Sequence, residues 1–278
     1  MGLMNLTQNL SVRHVPGNEP DGSVRPAPRA GINVLGVRVD ALNLDTATGA
    51  IAAAVEGRRH GYVCVTGVHG VMESQRDPRC RAIHNAASLV TPDGMPLAWL
   101  LKFAGHREAG RVYGPDLMLS VFAHGEGQGY RHFLYGASES TLALLRANLL
   151  RRFPGAQIVG SHAPPFRPLT DAETASVAAA INASGADIVW VGLSTPKQET
   201  WMASSRPLLD APVLIGVGAA FDFHAGLKPQ APAILQRAGM EWLFRLACEP
   251  RRLWRRYLTN NPRFVVAIAA QVLGLRRY

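Results

Sequence analysis

Short β-branched apolar runs alternate with alanine- and leucine-rich stretches of helical period along most of this sequence, and that alternation restricts the folds open to it. The runs are 62–66 (YVCVT), 88–91 (SLVT), 131–135 (RHFLY), 157–160 (QIVG), 188–193 (IVWVGL) and 213–217 (VLIGV). Helical stretches such as 138–153 and 171–183 fall between them. Runs that are apolar throughout predict strands buried on both faces, so the pattern points to an α/β fold, a largely parallel sheet flanked by helices. Residues 32–39 (INVLGVRV) predict a strand or hairpin, and Asp45 or Thr46 caps a helix reaching about residue 58. The first 30 residues, with Pro16, Pro20, Pro26 and Pro28, are expected to form a flexible leader outside the fold. Residues 31–230 then form the α/β core, and 231–278, where strand signals stop, a basic helical appendage packed on or hinged from it.

Charge concentrates in that appendage. The whole chain carries +9, and residues 245–278 hold eight arginines against the single acid Glu249. Such an end suits a diphosphate ligand or an anionic membrane surface. Nucleic acid is not expected, because no recognised nucleic-acid module accompanies the arginines. Trp242, Trp254 and Tyr257 among them are the residues interfacial segments display. No stretch of 18 apolar residues occurs; the longest, 264–275, suits a surface helix. Cys64, Cys80 and Cys248 are too widely spaced for a C-x-x-C metal or disulfide motif, which fits a reducing compartment and no metal. No signal-type start is seen, so a cytoplasmic protein is expected.

Several motifs are missing: the phosphate-binding G-x-x-x-x-G-K-[ST], H-E-x-x-H, G-x-S-x-G and any D-x-D pair. Gly216-Val-Gly218 opens like a dinucleotide fingerprint but has Phe221 where the third glycine belongs. Polar segments instead follow the apolar runs: Thr91-Pro-Asp93-Gly94, Arg111-Val-Tyr-Gly114-Pro-Asp116, Gly136-Ala-Ser138, Val191 through Glu199 (VGLSTPKQE) and 216–226 (GVGAAFDFHAG). Ligands of parallel sheets sit at such strand exits.

TPDG, RVYGPDL, VGLSTPKQE, GVGAAFDFHAG and EWLFRLACEPRRLWRRYL resemble, in order, the signature blocks of the WecG/TagA/CpsF glycosyltransferase family. The resemblance implies a Rossmann-like core with a membrane-associating C-terminal appendage. It implies transfer of a hexose or N-acetylhexosamine-type sugar from a UDP-sugar to a polyprenyl-diphosphate-linked saccharide at the cytoplasmic membrane face, without metal or cofactor. On it the catalytic base matches Asp93, the active-site arginine Arg111, the active-site glutamine Gln198 and the nucleotide-binding aspartate Asp222. Arg245, Arg252 and Arg255 match three appendage arginines. Where many members have T-x-N, this chain has Thr66-Gly67-Val68-His69; Thr66 is kept as a site residue, and His69 is a substitute contact for the missing amide.

The chemistry is intelligible from residue types. A carboxylate such as Asp93 can take the proton of an attacking sugar hydroxyl. Guanidinium groups of Arg111 and the appendage can pair with charge growing on a leaving diphosphate. Gly136 and Gly218 admit backbone close to a nucleotide, Lys197 is placed to reach phosphate or solvent, and Gln198 can bond sugar hydroxyls without titrating. Each has a plainer competitor: a turn aspartate at 93, an Arg111–Asp116 ion pair, a structural carboxylate at 222, and ordinary hydrogen-bonded histidines at 69 and 224. The leading expectation is an inverting, metal-independent glycosyltransferase of surface polysaccharide assembly, peripheral on the membrane, with oligomeric state open. Removal of residues 245–278 is expected to leave the core folded. A non-enzymatic nucleotide-sugar-binding adaptor is the alternative. A nicotinamide-dependent oxidoreductase ranks below both, with Glu241 as its only ribose-binding acid.

Overall fold

The computed structural model describes Asn9, Leu10 and residues 30–278. Six parallel strands form the sheet: β3 (Gly61–Thr66), β4 (Leu89–Pro92), β5 (Arg131–Gly136), β6 (Gln157–His162), β7 (Ile188–Gly192) and β8 (Val213–Gly216), in the order β4-β3-β8-β7-β5-β6. Before it comes an antiparallel hairpin, β1 (Gly31–Val34) and β2 (Val37–Asp40). The expected fold class is the one found.

Strand alternation explains why the apolar runs are continuous. On β7, Ile188 and Trp190 enter the core on one sheet face with Phe122 and Leu134, while Val189 and Val191 enter the other with Tyr135 and Leu214. Both faces are covered by helices: α1 (Leu44–Glu56), α2 (Val68–Arg76), α3 (Pro78–Ala86), α4 (Met95–Phe103), α5 (Gly114–Glu126), α6 (Glu139–Arg152), α7 (Asp171–Ala183) and α8 (Lys197–Ser205). The α1 start differs from expectation. Asn43 is the cap, accepting from the Thr46 amide at 2.9 Å, and Thr46 returns the bond to the Asn43 amide at 2.9 Å. Two reciprocal bonds satisfy donors that neither Asp45 nor Thr46 alone would reach.

After β8 come α9 (Ala220–His224), α10 (Ala233–Arg237), α11 (Glu241–Cys248) and the 23-residue α12 (Pro250–Val272). The basic end divides along α12. Its second half lies on the core: Phe264 and Gln271 are buried, with Ala267 and Ile268 packed beside them, at the 3–4 spacing of one helix face. Val265, Val266 and Leu273 face outward. Gln271 is 2% exposed and spends its amide on the hairpin, accepting from Leu35 N at 2.9 Å and donating to Asn33 O at 2.8 Å. No helix among the described residues is long and apolar enough to cross a membrane.

Most of the expected leader lies outside the described residues. Leu10, however, is fully buried, and its carbonyl accepts from Asn33 N at 2.8 Å. Asn9 donates to Val272 O at 3.2 Å. These two residues belong to the folded body, because the hairpin's apolar face needs cover that the sheet does not supply.

Candidate active site

A parallel sheet delivers all its strand exits to one edge. Asp93 follows β4 and is tied to the neighbouring exit by its amide, which donates to Thr66 O at 2.9 Å. Gly67 is obligatory beneath it: a Cβ there would stand 2.8 Å from Asp93 O and 3.8 Å from its Oδ2. Thr66 is buried below, its hydroxyl turned back to Cys64 O at 3.4 Å. The segment before α5 is hooked to β4 by Val112 N donating to Pro92 O at 2.9 Å, which brings Arg111 alongside.

Arg111 is held on every side. Its guanidinium lies 4.2 Å over the Tyr113 ring, donates to Glu241 Oε2 at 2.7 Å and to Gln236 Oε1 at 2.6 Å, and has Asp116 at 3.5 Å. The main partners thus come from α10 and α11; the Asp116 pair read from the sequence is the longest of the three. Arg245 of α11 lies 5.7 Å over Phe223. Arg256 of α12 completes the ring, and its Nε is buried without a hydrogen-bond partner.

Burial and these charges together set how Asp93 titrates. Burial foremost, then Glu241, push its pKa up to about 7, against the pull of Arg111, Arg245 and Arg256. A carboxyl in this state exchanges its proton near neutrality, as a general base must. Burial would lower the Arg245 pKa, but Tyr257, Tyr113, Glu241 and Asp93 outweigh it and raise it, so this guanidinium stays charged.

The other exits lie along the same edge. Gln198, in the first turn of α8, is 3% exposed and passes over the β8 exit: Cβ atoms on Gly216 and Gly218 would come within 3.1 and 3.4 Å of it. It donates to Glu199 Oε1 at 3.0 Å, while its own Oε1 is buried and unpartnered. Gly136 ends β5 with φ +126, and a Cβ there would collide with the Gly192 backbone at 2.7 Å. From β5 the chain runs outward to β6, and from β7 it runs back to β8, so the crevice between Gly136 and Gly192 is a topological switch point. Asp222 on α9 pairs with Lys228 at 2.7 Å, which also reaches Glu249 at 3.4 Å.

Asp93, Arg111 and Arg245 therefore come together over Thr66, with Gln198 and Gly218 two strands along and Gly136 beyond. Arg252 and Arg255 do not join them: Arg252 pairs with Glu249, and Arg255 stacks 5.2 Å from exposed Trp254. Lys197 faces solvent. His69 lies 3.2 Å from Asn260 of α12, and burial foremost, then Arg256, drive its pKa down to about 3, so it is neutral. His224 bonds Pro115 O at 3.0 Å. Glu241 sits against Arg111 in a helix, with no strand after Gly218 among the described residues, which removes the oxidoreductase reading.

Sequence reasoning missed Arg256 as a site residue and Glu241 as a partner of Arg111. Arg256 had a signal: Leu253, Asn260 and Phe264 mark the buried stripe of α12, and Arg256 falls on it while Arg252 and Arg255 do not. Glu241 had none, since only the fold brings it to Arg111.

Known sequences share this arrangement's host chain. The family model described as the glycosyl transferase WecG/TagA/CpsF family matches residues 32–278. A Bacillus spizizenii protein named N-acetylglucosaminyldiphosphoundecaprenol N-acetyl-β-D-mannosaminyltransferase is 32% identical over 196 residues, covering 70% of this chain and 74% of that protein.

Proposed function

The chain belongs to the WecG/TagA/CpsF family of glycosyltransferases, and from that premise we propose that it moves an N-acetylhexosamine-type sugar from a UDP-sugar to a polyprenyl-diphosphate-linked N-acetylglucosamine. The reading is supported most by one observation: a carboxyl poised near pH 7, Asp93, faces three guanidinium groups, Arg111, Arg245 and Arg256. The acceptor class is taken from the relative's name, and the donor from the family resemblance.

In this scheme Asp93 takes the proton of the acceptor hydroxyl as its oxygen bonds to the anomeric carbon. The bond from that carbon to the UDP oxygen breaks on the opposite side, so the anomeric centre inverts. Negative charge arrives on the β-phosphate, where Arg111, Arg245 and Arg256 stabilise it in place of a cation. The nucleotide lies along the Gly136, Gly218 and Asp222 edge, and Gln198 bonds the sugar through its unpartnered carbonyl oxygen. Thr66 supports Asp93 from below. The exposed Trp254, Arg252 and Arg255 meet an anionic membrane surface on the cytoplasmic side, where surface polysaccharide precursors are assembled.

The test is UDP release from a panel of UDP-sugars, UDP-N-acetylmannosamine among them, with a lipid-diphosphate N-acetylglucosamine acceptor and EDTA present. Turnover with EDTA, abolished by Asp93→Asn while UDP still binds, is the expected result. UDP binding with no turnover for any donor would instead favour a binding adaptor.

A further inference from the structure

We propose that Glu241 is a positioning residue of this site: from the appendage side its carboxylate fixes the Arg111 guanidinium and supplies negative charge that opposes the arginines around Asp93. The inference rests on the reading of Asp93 as the general base.

Two sets of contacts carry it. First, Arg111 and Glu241 are both largely enclosed, with side chains 12% and 15% exposed, and they meet at 2.7 Å. Gln236 takes the other guanidinium nitrogen at 2.6 Å, and Tyr113 lies under its plane at 4.2 Å. A guanidinium has five N–H donors, so two such bonds orient it and leave donors for a phosphate. An arginine already fixed loses less freedom when the diphosphate arrives.

Second, the charges facing Asp93 are unbalanced without Glu241. Arg111 reaches it from the segment before α5, Arg245 from α11 and Arg256 from α12; Tyr113 is a neutral phenol beside them. Asp116 faces Arg111 from the outer side and is half exposed. Three guanidinium groups acting alone would make Asp93 a stronger acid, and so a poorer acceptor of a hydroxyl proton. Glu241 opposes them, and its carboxylate also acts on the neighbouring Tyr113 phenol. A residue that helps tie the appendage to the core thereby adds to burial in keeping the base basic.

The experiment is a pH–rate profile of the full chain with UDP-N-acetylmannosamine and a lipid-diphosphate N-acetylglucosamine acceptor. Glu241→Gln should move the midpoint of the acidic limb to lower pH by about one unit or more, with a lower plateau rate. An unmoved limb overturns the proposal, even if the rate falls at every pH, since a purely structural role does that. Should Glu241→Gln fail to fold, Glu241→Asp carries the same test: the drawn-back carboxylate should move the limb the same way by less, and an unmoved limb again overturns it. Asp93→Asn separates the two layers. An inactive Asp93→Asn with an unmoved Glu241→Gln limb sinks this inference alone, whereas an active Asp93→Asn sinks the reading beneath it.

Discussion

The Leu35 amide donates to Oε1 of Gln271 at 2.9 Å, joining a hairpin turn to a helix 236 positions later. The bond is buried, and the same side chain serves Asn33 O and Asn9 O. It marks where the basic end stops being an attachment and becomes part of the core.

Gln271→Leu keeps the volume and strands a buried amide and two carbonyls. Leaving such groups unpaired costs about 1–3 kcal/mol. Urea or thermal unfolding should show a loss of that size. Deleting residues 245–278 should do far more, against the expectation from sequence that the core stays folded, since it removes Phe264 from the cluster that holds Val34, Leu35 and Val37. A truncated chain as stable as the full one would contradict the packing of α12.

Asp93→Asn should lower turnover by on the order of 10²- to 10⁴-fold, the usual worth of a general base. Its effect on stability depends on pH. The carboxyl's folded pKa, about 7, lies above its ordinary 3.8, so the folded state binds the proton more tightly than the unfolded chain. Ionised Asp93 therefore penalises the native state increasingly as pH rises from about 4 to 7, and fully above that. Melting temperatures should show Asp93→Asn gaining on the wild type across that window, with little difference near pH 4.

Arg256→Gln removes a charged donor with an unspent Nε. Charge-assisted bonds are worth about 1.5–3 kcal/mol, so kcat/KM should fall by about 10- to 100-fold with a short-chain soluble acceptor. Arg255→Gln, stacked on exposed Trp254, should leave that rate nearly unchanged and act only when the acceptor sits in anionic vesicles. Equal losses in the soluble assay would show that α12 presents a different face to substrate.

Gly136→Ala forces a side chain into a φ of +126 and against the Gly192 backbone at 2.7 Å. Backbone strain of this kind costs about 1–3 kcal/mol. Calorimetric UDP titration should show weakened binding at a protein concentration where the variant is folded. Unchanged affinity would move the nucleotide away from the β5–β7 crevice.

Much of this was legible before the fold was known. Val189 and Val191 alternate with Ile188 and Trp190 between two buried faces, and that continuous apolar run is what identified a strand flanked by helices. Because parallel strands share an exit edge, Asp93, Gln198 and Gly136 could be assigned to one rim from order alone. Contacts such as Arg111 with Glu241 were not legible, since a pairing across 130 positions leaves no local period. The same holds for Leu10: a leucine in a short segment without helical or strand period gives no sign that a hairpin will close over it.

One feature of the sheet bears on how the molecule is made. β3 pairs with β4 almost at once, but its other edge is filled by β8, about 150 residues later in the chain. Until β8 emerges, a growing chain carries Tyr62–Cys64 as an open apolar strand edge, available to any neighbour. Such non-local closure slows folding. Production of this protein should accordingly be sensitive to chaperone supply and to synthesis rate, however stable the finished molecule is.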